Sequence, residues 1–167
     1  MSALWRGVLG LLLAGAVGGM ATAESAAPVK LAVFTFELDD FSAASSTGTP
    51  DPADTAELAR VTEDVRKLLQ ESGRYDLVAV ENTQAKSLRD CNGCDAPIAK
   101  QLGAQQSFVG VVKRISRAEY QVHFQLRDAE TGALISEADT GLRMGAMDSW
   151  NRGALRLVKD RLLKNPS

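Results

Sequence analysis

The chain has one histidine, His123, and two cysteines, Cys91 and Cys94. A single histidine leaves one candidate base for any Ser-His-Asp or Cys-His arrangement, and no local motif marks a nucleophile to go with it. The two cysteines have no second ligand pair with which to build a zinc site. Asp95 follows Cys94 where haem attachment would need a histidine. Among the 14 glycines there is neither G-x-x-x-x-G-K nor a G-x-G-x-x-G opening a helix after a strand, so no phosphate-cradling loop is legible. The balance of 19 basic against 21 acidic residues contains no basic stripe, which argues against nucleic acid as a partner. Aromatic residues make up only 5% of the chain. There is one long apolar run, at the N-terminus, and nothing after it is apolar enough to span a membrane. No metal or cofactor is implied by any of these patterns.

The apolar run has the form of an export signal. Arg6 supplies a positive start, Val8 to Val17 is apolar and small, and Ala21-Thr22-Ala23 fits a cleavage site before Glu24. Five glycines in and around this run weaken it as a stable membrane helix. Cleavage of residues 1–23 would leave 144 of the 167 residues as one domain, 24–167, in the periplasm. It would remove one of 19 bases and none of 21 acids, giving a formal charge of −3.

Beyond a short linker, Val29 to Phe36 is β-branched and aromatic and reads as a central strand. Glu37 to Pro52 reads as a long, solvated connection. Asp39 and Asp40 in it match no calcium-loop spacing. Asp51-Pro52 is a strong helix start. Leu58, Val61, Val65, Leu68 and Leu69 recur at helical spacing up to Gly73, which predicts a helix over 52–72. Tyr75 to Val80 is the next strand, so the first two strands should be joined by a parallel crossover. Residues 81–90 are ambiguous, with a helical turn near Ala85 to Leu88 as one reading. A short helix over 95–102 follows, then an apolar interior strand over 107–112, in which Gly110 marks close approach of a neighbour. Tyr120, Val122, Phe124 and Leu126 alternate with Gln121, His123, Gln125 and Arg127, the pattern of a strand with one wet face. A hairpin at 128–132, a strand over 133–138 and a final helix over 148–164 complete the chain. The expected fold is α/β (α+β): a two-layer sandwich with a mixed sheet of about five strands and helices on one face, in the order β-α-β-(α)-β-β-β-α.

Several pieces of this order together resemble a known group. Leu31-Ala32-Val33-Phe34-Thr35-Phe36, Ser72 to Val78, Leu102-Gly103-Ala104, Val109-Gly110-Val111-Val112 and Arg127 to Gly132 are similar to segments of the N-terminal domain of TolB and the related domains of CsgG and the LpoB lipoproteins. More closely, the chain resembles an uncharacterised family of predicted secreted bacterial proteins, a domain of unknown function. The resemblance covers residues 29–140 and implies periplasmic assembly or partner binding, with no catalytic residues to carry over. The chain lacks the propeller repeats of TolB and the membrane-spanning strands of CsgG.

Cys91-Asn92-Gly93-Cys94 is the sharpest local motif. In an exported chain the two cysteines read as a structural disulfide closed across an Asn-Gly turn. A redox-active pair at the start of the 95–102 helix and a metal pair are the alternatives. The segment before Cys91 is not the buried strand that a thioredoxin-like site follows, and Asp90 and Asp95 would disfavour a thiolate. The candidate binding surface is the wet face of the alternating strand, Gln121, His123, Gln125 and Arg127. Arg143 and Trp150, near the start of the last helix, are a second candidate. The function this supports is a non-enzymatic interaction or envelope-assembly module with a periplasmic protein partner. The alternatives are a cofactor- or ligand-binding accessory protein of a periplasmic enzyme system, and a thiol-disulfide protein using Cys91 and Cys94.

Overall fold

The computed structural model describes residues 27–42, 51–81 and 87–164. The segment expected to be an export signal, residues 43–50 of the expected connection and residues 82–86 of the ambiguous 81–90 stretch lie outside them. In chain order the elements are β1 (Val29–Val33), β2 (Glu37–Asp40), α1 (Pro52–Glu71), β3 (Tyr75–Val78), α2 (Asp95–Gln101), β4 (Gln106–Ser116), β5 (Glu119–Asp128), β6 (Leu134–Asp139), β7 (Arg143–Met144) and α3 (Trp150–Val158). A 3₁₀ turn, Met147–Ser149, leads into α3, and a π turn, Lys159–Leu163, continues it.

The strands form one mixed sheet in the order β3-β1-β4-β5-β6. β1 lies parallel to β3, as the strand-helix-strand order predicts, and on its other edge parallel to β4. β5 is antiparallel to both β4 and β6. β2 prolongs the line of β1 along β4, and β7 runs beside the start of β5.

α1 starts where Asp51 accepts a hydrogen bond from the Ala53 amide at 2.8 Å, with proline at its first position. It ends at Ser72, followed by Gly73 at φ +69°, a left-handed position that is cheap only for glycine. Its Val61, Val65 and Leu69 are buried on the sheet beside α3's Trp150, Ala154, Leu157 and Val158. Each such side chain contributes roughly 1.5–3 kcal/mol when taken from water.

Two expectations are corrected. The strand expected over 29–36 is broken, and the connection expected to begin at Glu37 instead begins with β2. Val33 pairs with Phe108 and Glu37 with Val111, so four steps on the β1–β2 line match three on β4. One extra residue is inserted, a bulge. The Phe36 amide, freed from the ladder, donates to Thr62 Oγ1 of α1 at 2.9 Å. The second correction concerns the helices. α1 and α3 cover one sheet face, but α2 packs on the other, where Ala99 and Ala104 meet Ala32, Phe34, Val109 and Val111. The cause lies in β1 and β4, which are apolar on both faces and need cover on both.

Cys91 and Cys94 are joined in a disulfide, their Cα atoms 5.6 Å apart, in the turn that leads into α2. The closed loop is short, so Cys91→Ser with Cys94→Ser is expected to lower stability by about 2 kcal/mol or less. Urea unfolding of the double variant checks this.

Candidate functional site

The second sheet face is apolar only where α2 covers it. Further along, on β5, Val122, Phe124 and Leu126 enter the core while Gln121, His123 and Gln125 point the other way, half-buried. Strand register gives them neighbours on that face. Val109 lies beside Gln125, Val111 beside His123 and Lys113 beside Gln121. On the outer side Asp139 and Glu137 of β6 pair with His123 and Gln125. The bulge brings in the rest. Without the extra residue, Glu37 and Asp39 would point into the core and Leu38 away from it. With it, Leu38 joins the core, while Glu37 and Asp39 flank Val111 and Lys113 on the polar face.

These strands form the floor of a cleft of about 350 Å³ whose wall is the 88–92 turn and Asp95. Glu37 straps that wall to the sheet. Its carboxylate accepts from the Leu88 amide at 2.6 Å, from the Arg89 amide at 3.3 Å and from the Ser87 hydroxyl. The Arg89 guanidinium donates back to the Leu38 carbonyl. A second tie runs through Arg127, which donates to Asn92 at 2.9 Å, Gln125 at 3.1 Å and the Gly132 carbonyl at 3.3 Å. Its Nε lies 3.8 Å from the buried Asp95, which accepts a 2.5 Å hydrogen bond from buried Ser107.

The charges in the cleft are mixed. His123 Nε2 is 3.3 Å from Glu137, which also accepts from Gln125 at 3.1 Å. Burial of the imidazole pushes its pKa below the ordinary histidine value; Lys113 adds to this, while Glu137 and Asp139 oppose it. Asp139 is held below the usual carboxylate range, chiefly by the Gly141 amide. The unfolded chain therefore takes up the histidine proton more readily than the folded one. The contribution of His123 to stability is whole above about pH 6.5 and is lost as pH falls below that value. His123→Gln is expected to lose less stability than the wild type between pH 7.5 and 5.5, measured as the shift in urea midpoint.

The site has the chemistry of recognition: amide, imidazole, ammonium and carboxylate groups fixed on rigid strands. Of the residues expected on the wet face, Gln121, His123 and Gln125 stand there. Arg127 does not stand open: it is 9% exposed and braces the cleft wall. Of the two readings open for Trp150, a surface contact or a core residue closing the helix onto the sheet, the structure has the second. Trp150 is 1% exposed in the core, with the Arg114 guanidinium 5.7 Å above its ring. Arg143 is exposed on β7, away from this cleft. Sequence reasoning left Glu37 and Asp39 in a solvated connection that could border this face, and missed Lys113, Glu137 and Asp139. The alternation of Lys113 and Glu137 with apolar neighbours could have found those two. Glu37 and Asp39 are placed by the bulge, which no pattern announces.

These features define a mixed-sheet α/β domain with one polar cleft face and an internally bridged turn for its wall. The chain belongs to the DUF3280 family, described as a protein of unknown function (DUF2380), whose model matches residues 29–162. Among solved structures it is similar to the LpoB C-terminal domain from Salmonella enterica. That match has 20% identity and a TM-score of 0.47, and covers 73% of this chain and 87% of that one. It is also similar to PelC, a dodecamer from Paraburkholderia phytofirmans, at 18% identity and a TM-score of 0.48 over 83% and 88% of the two chains. TolB from Acinetobacter baumannii matches at 18% identity and a TM-score of 0.46, covering 74% of this chain and 25% of that one. No curated protein matches the chain.

Proposed function

We propose that the protein is an exported, periplasmic interaction module of the cell envelope, which docks a protein partner on the polar cleft face of its sheet. One observation carries the reading. The bulge, the Glu37 strap and the Arg127 brace together hold Asp39, Lys113, His123, Gln125 and Glu137 around one cleft on rigid elements. Polar groups pre-positioned in this way lose little freedom on binding, which favours recognition. The N-terminal apolar segment with its Ala21-Thr22-Ala23 site supports export. A second reading, binding of a small ligand for a periplasmic enzyme system, is favoured by the volume of the cleft, which falls in the range of about 300–1,000 Å³ usual for such pockets.

A photo-crosslinking amino acid in place of Gln125 tests the proposal in intact cells. A discrete protein adduct is expected from this position and none from the same group at Lys67, which is exposed on α1. Identical adducts from both positions, or none from Gln125, would remove the cleft as the docking surface. Native mass spectrometry of the purified protein separates the second reading, which expects a co-purified small molecule released by unfolding.

A further inference from the structure

A separate cleft of about 600 Å³ lies between α3 and the β5–β7 end of the sheet. Four arginines line it: Arg143 from β7, Arg152 and Arg156 from α3, and Arg161 from the π turn. All four are exposed. Two carboxylates reach the rim, and both are engaged. Asp139 accepts from the Gly141 amide at 2.6 Å, and Asp160 holds Lys164 at 2.7 Å and Arg156 at 3.7 Å. Among the described residues, Arg143, Arg152 and Arg161 have no carboxylate within ion-pair distance, although acids outnumber bases in the chain. Like charges gathered along one cleft raise its positive potential, which attracts an anionic ligand.

The floor of the cleft is built as well as its rim. Gly153 sits inside α3, where glycine is less favourable than alanine. A Cβ there would stand 3.0 Å from the Tyr120 hydroxyl and 3.1 Å from its ring, so glycine lets the helix close over Tyr120. The Tyr120 hydroxyl in turn donates to the Ser149 carbonyl at 3.1 Å, which fixes the ring in the lining of the cleft.

We propose that this cleft binds an acidic segment of a partner protein, an extended stretch carrying at least two Asp or Glu side chains. The spacing selects this ligand over a single phosphate. From Arg152 to Arg161 the helix advances about 13 Å, at ~1.5 Å per residue. A phosphate group bridges neighbouring guanidinium groups but not that length. About four residues of extended chain cover it, at ~3.3 Å each, and their carboxylates match the planar guanidinium fork. The apolar floor of Tyr120 and Leu157 accommodates the stems of the side chains between them.

The test uses the mature chain and a fluorescein-labelled hexaglutamate peptide, read by fluorescence anisotropy at 50 and 200 mM salt. The wild type is expected to bind it, more weakly at the higher salt. Arg152→Glu with Arg161→Glu should lose at least tenfold in affinity while keeping its unfolding midpoint. Lys67→Glu with Lys100→Glu makes the same change in net charge at exposed positions elsewhere, and should bind within twofold of wild type. Equal losses in both double variants would reduce the binding to net charge and overturn the proposal. So would displacement of the peptide by inorganic pyrophosphate at a lower concentration than by unlabelled peptide, which would assign the cleft to a phosphate ligand.

Discussion

Arg114→Ala is expected to lower stability by about 3–5 kcal/mol, the cost of removing one partner from a buried charge cluster. Arg114 on β4 donates to both carboxylate oxygens of Asp54 on α1 at 2.8 Å and to Asp40 on β2 at 2.6 Å. Its guanidinium lies over Trp150 of α3. One side chain thus ties four elements, and Asp54, 5% exposed, would be left charged without a partner. The Arg114 hydrogen bond holds Asp40 at a pKa of about 2, well below its ordinary 3.8. That contribution is present above the unfolded value of about 3.8 and is lost as pH falls toward 2. Two measurements check the cluster. In urea unfolding, Arg114→Ala with Asp54→Ala should cost less than the sum of the single variants. In acid titration, Arg114→Ala should lose less stability between pH 4.5 and 2 than the wild type. Simple additivity together with an unchanged acid limb would show that the cluster contributes little.

Gly110→Ala should cost about 3 kcal/mol, at the upper end of the usual range for overpacking a core. A Cβ at residue 110 would stand 2.3 Å from two carbons of the Phe36 ring. That ring is buried and is hemmed by Phe108, with centroids 6.1 Å apart, so it cannot swing away. The effect should be coupled to the ring itself. Phe36→Ala alone is expected to cost about 3–5 kcal/mol. In the Gly110→Ala background it should cost less by at least about 1 kcal/mol, since the clash goes with the ring. Equal costs in both backgrounds would place the strain elsewhere.

Both predictions rest on the bulge between Val33 and Glu37, and that bulge marks where sequence reading stopped. The elements were legible wherever one face is apolar and the other polar: α1 from its periodic leucines and valines, β5 from strict alternation, the α2 start after the bridged turn. The Val29 to Phe36 run is apolar on both faces, so an inserted residue leaves no mark in it. A one-residue slip exchanges the faces of everything after it. The strand reading thus passed from Phe36 into a supposed loop and lost Glu37, Asp39 and Asp40. The same two-sided apolarity in β4 implied cover on both faces, but not which helix supplies each. Gln121, His123 and Gln125 were found because alternation fixes their side. Arg127 lay on the right side yet was misread as free, because its partners Asn92 and Gly132 come from a turn and a hairpin loop that only the folded chain brings beside it.

The central strand β4 has a consequence for the order in which the fold can assemble. β1, β2 and β5 all hydrogen-bond to it, yet it spans residues 106–116 and follows the first of these by more than 70 positions. A chain emerging N-terminus first can pair β1 with β3 through α1, but this leaves β1 with its other edge bare. Nothing earlier in the sequence fills that place. Long-range strand pairing of this kind is slow, because the intervening loop must be closed before any contact rewards it. The N-terminal half should therefore stay pliable until β4 arrives, and then the β4–β5 hairpin, joined by a tight turn, docks against it as one piece. Such a chain cannot close its sheet while residues 106–128 are withheld, and it commits to its shape only near the end.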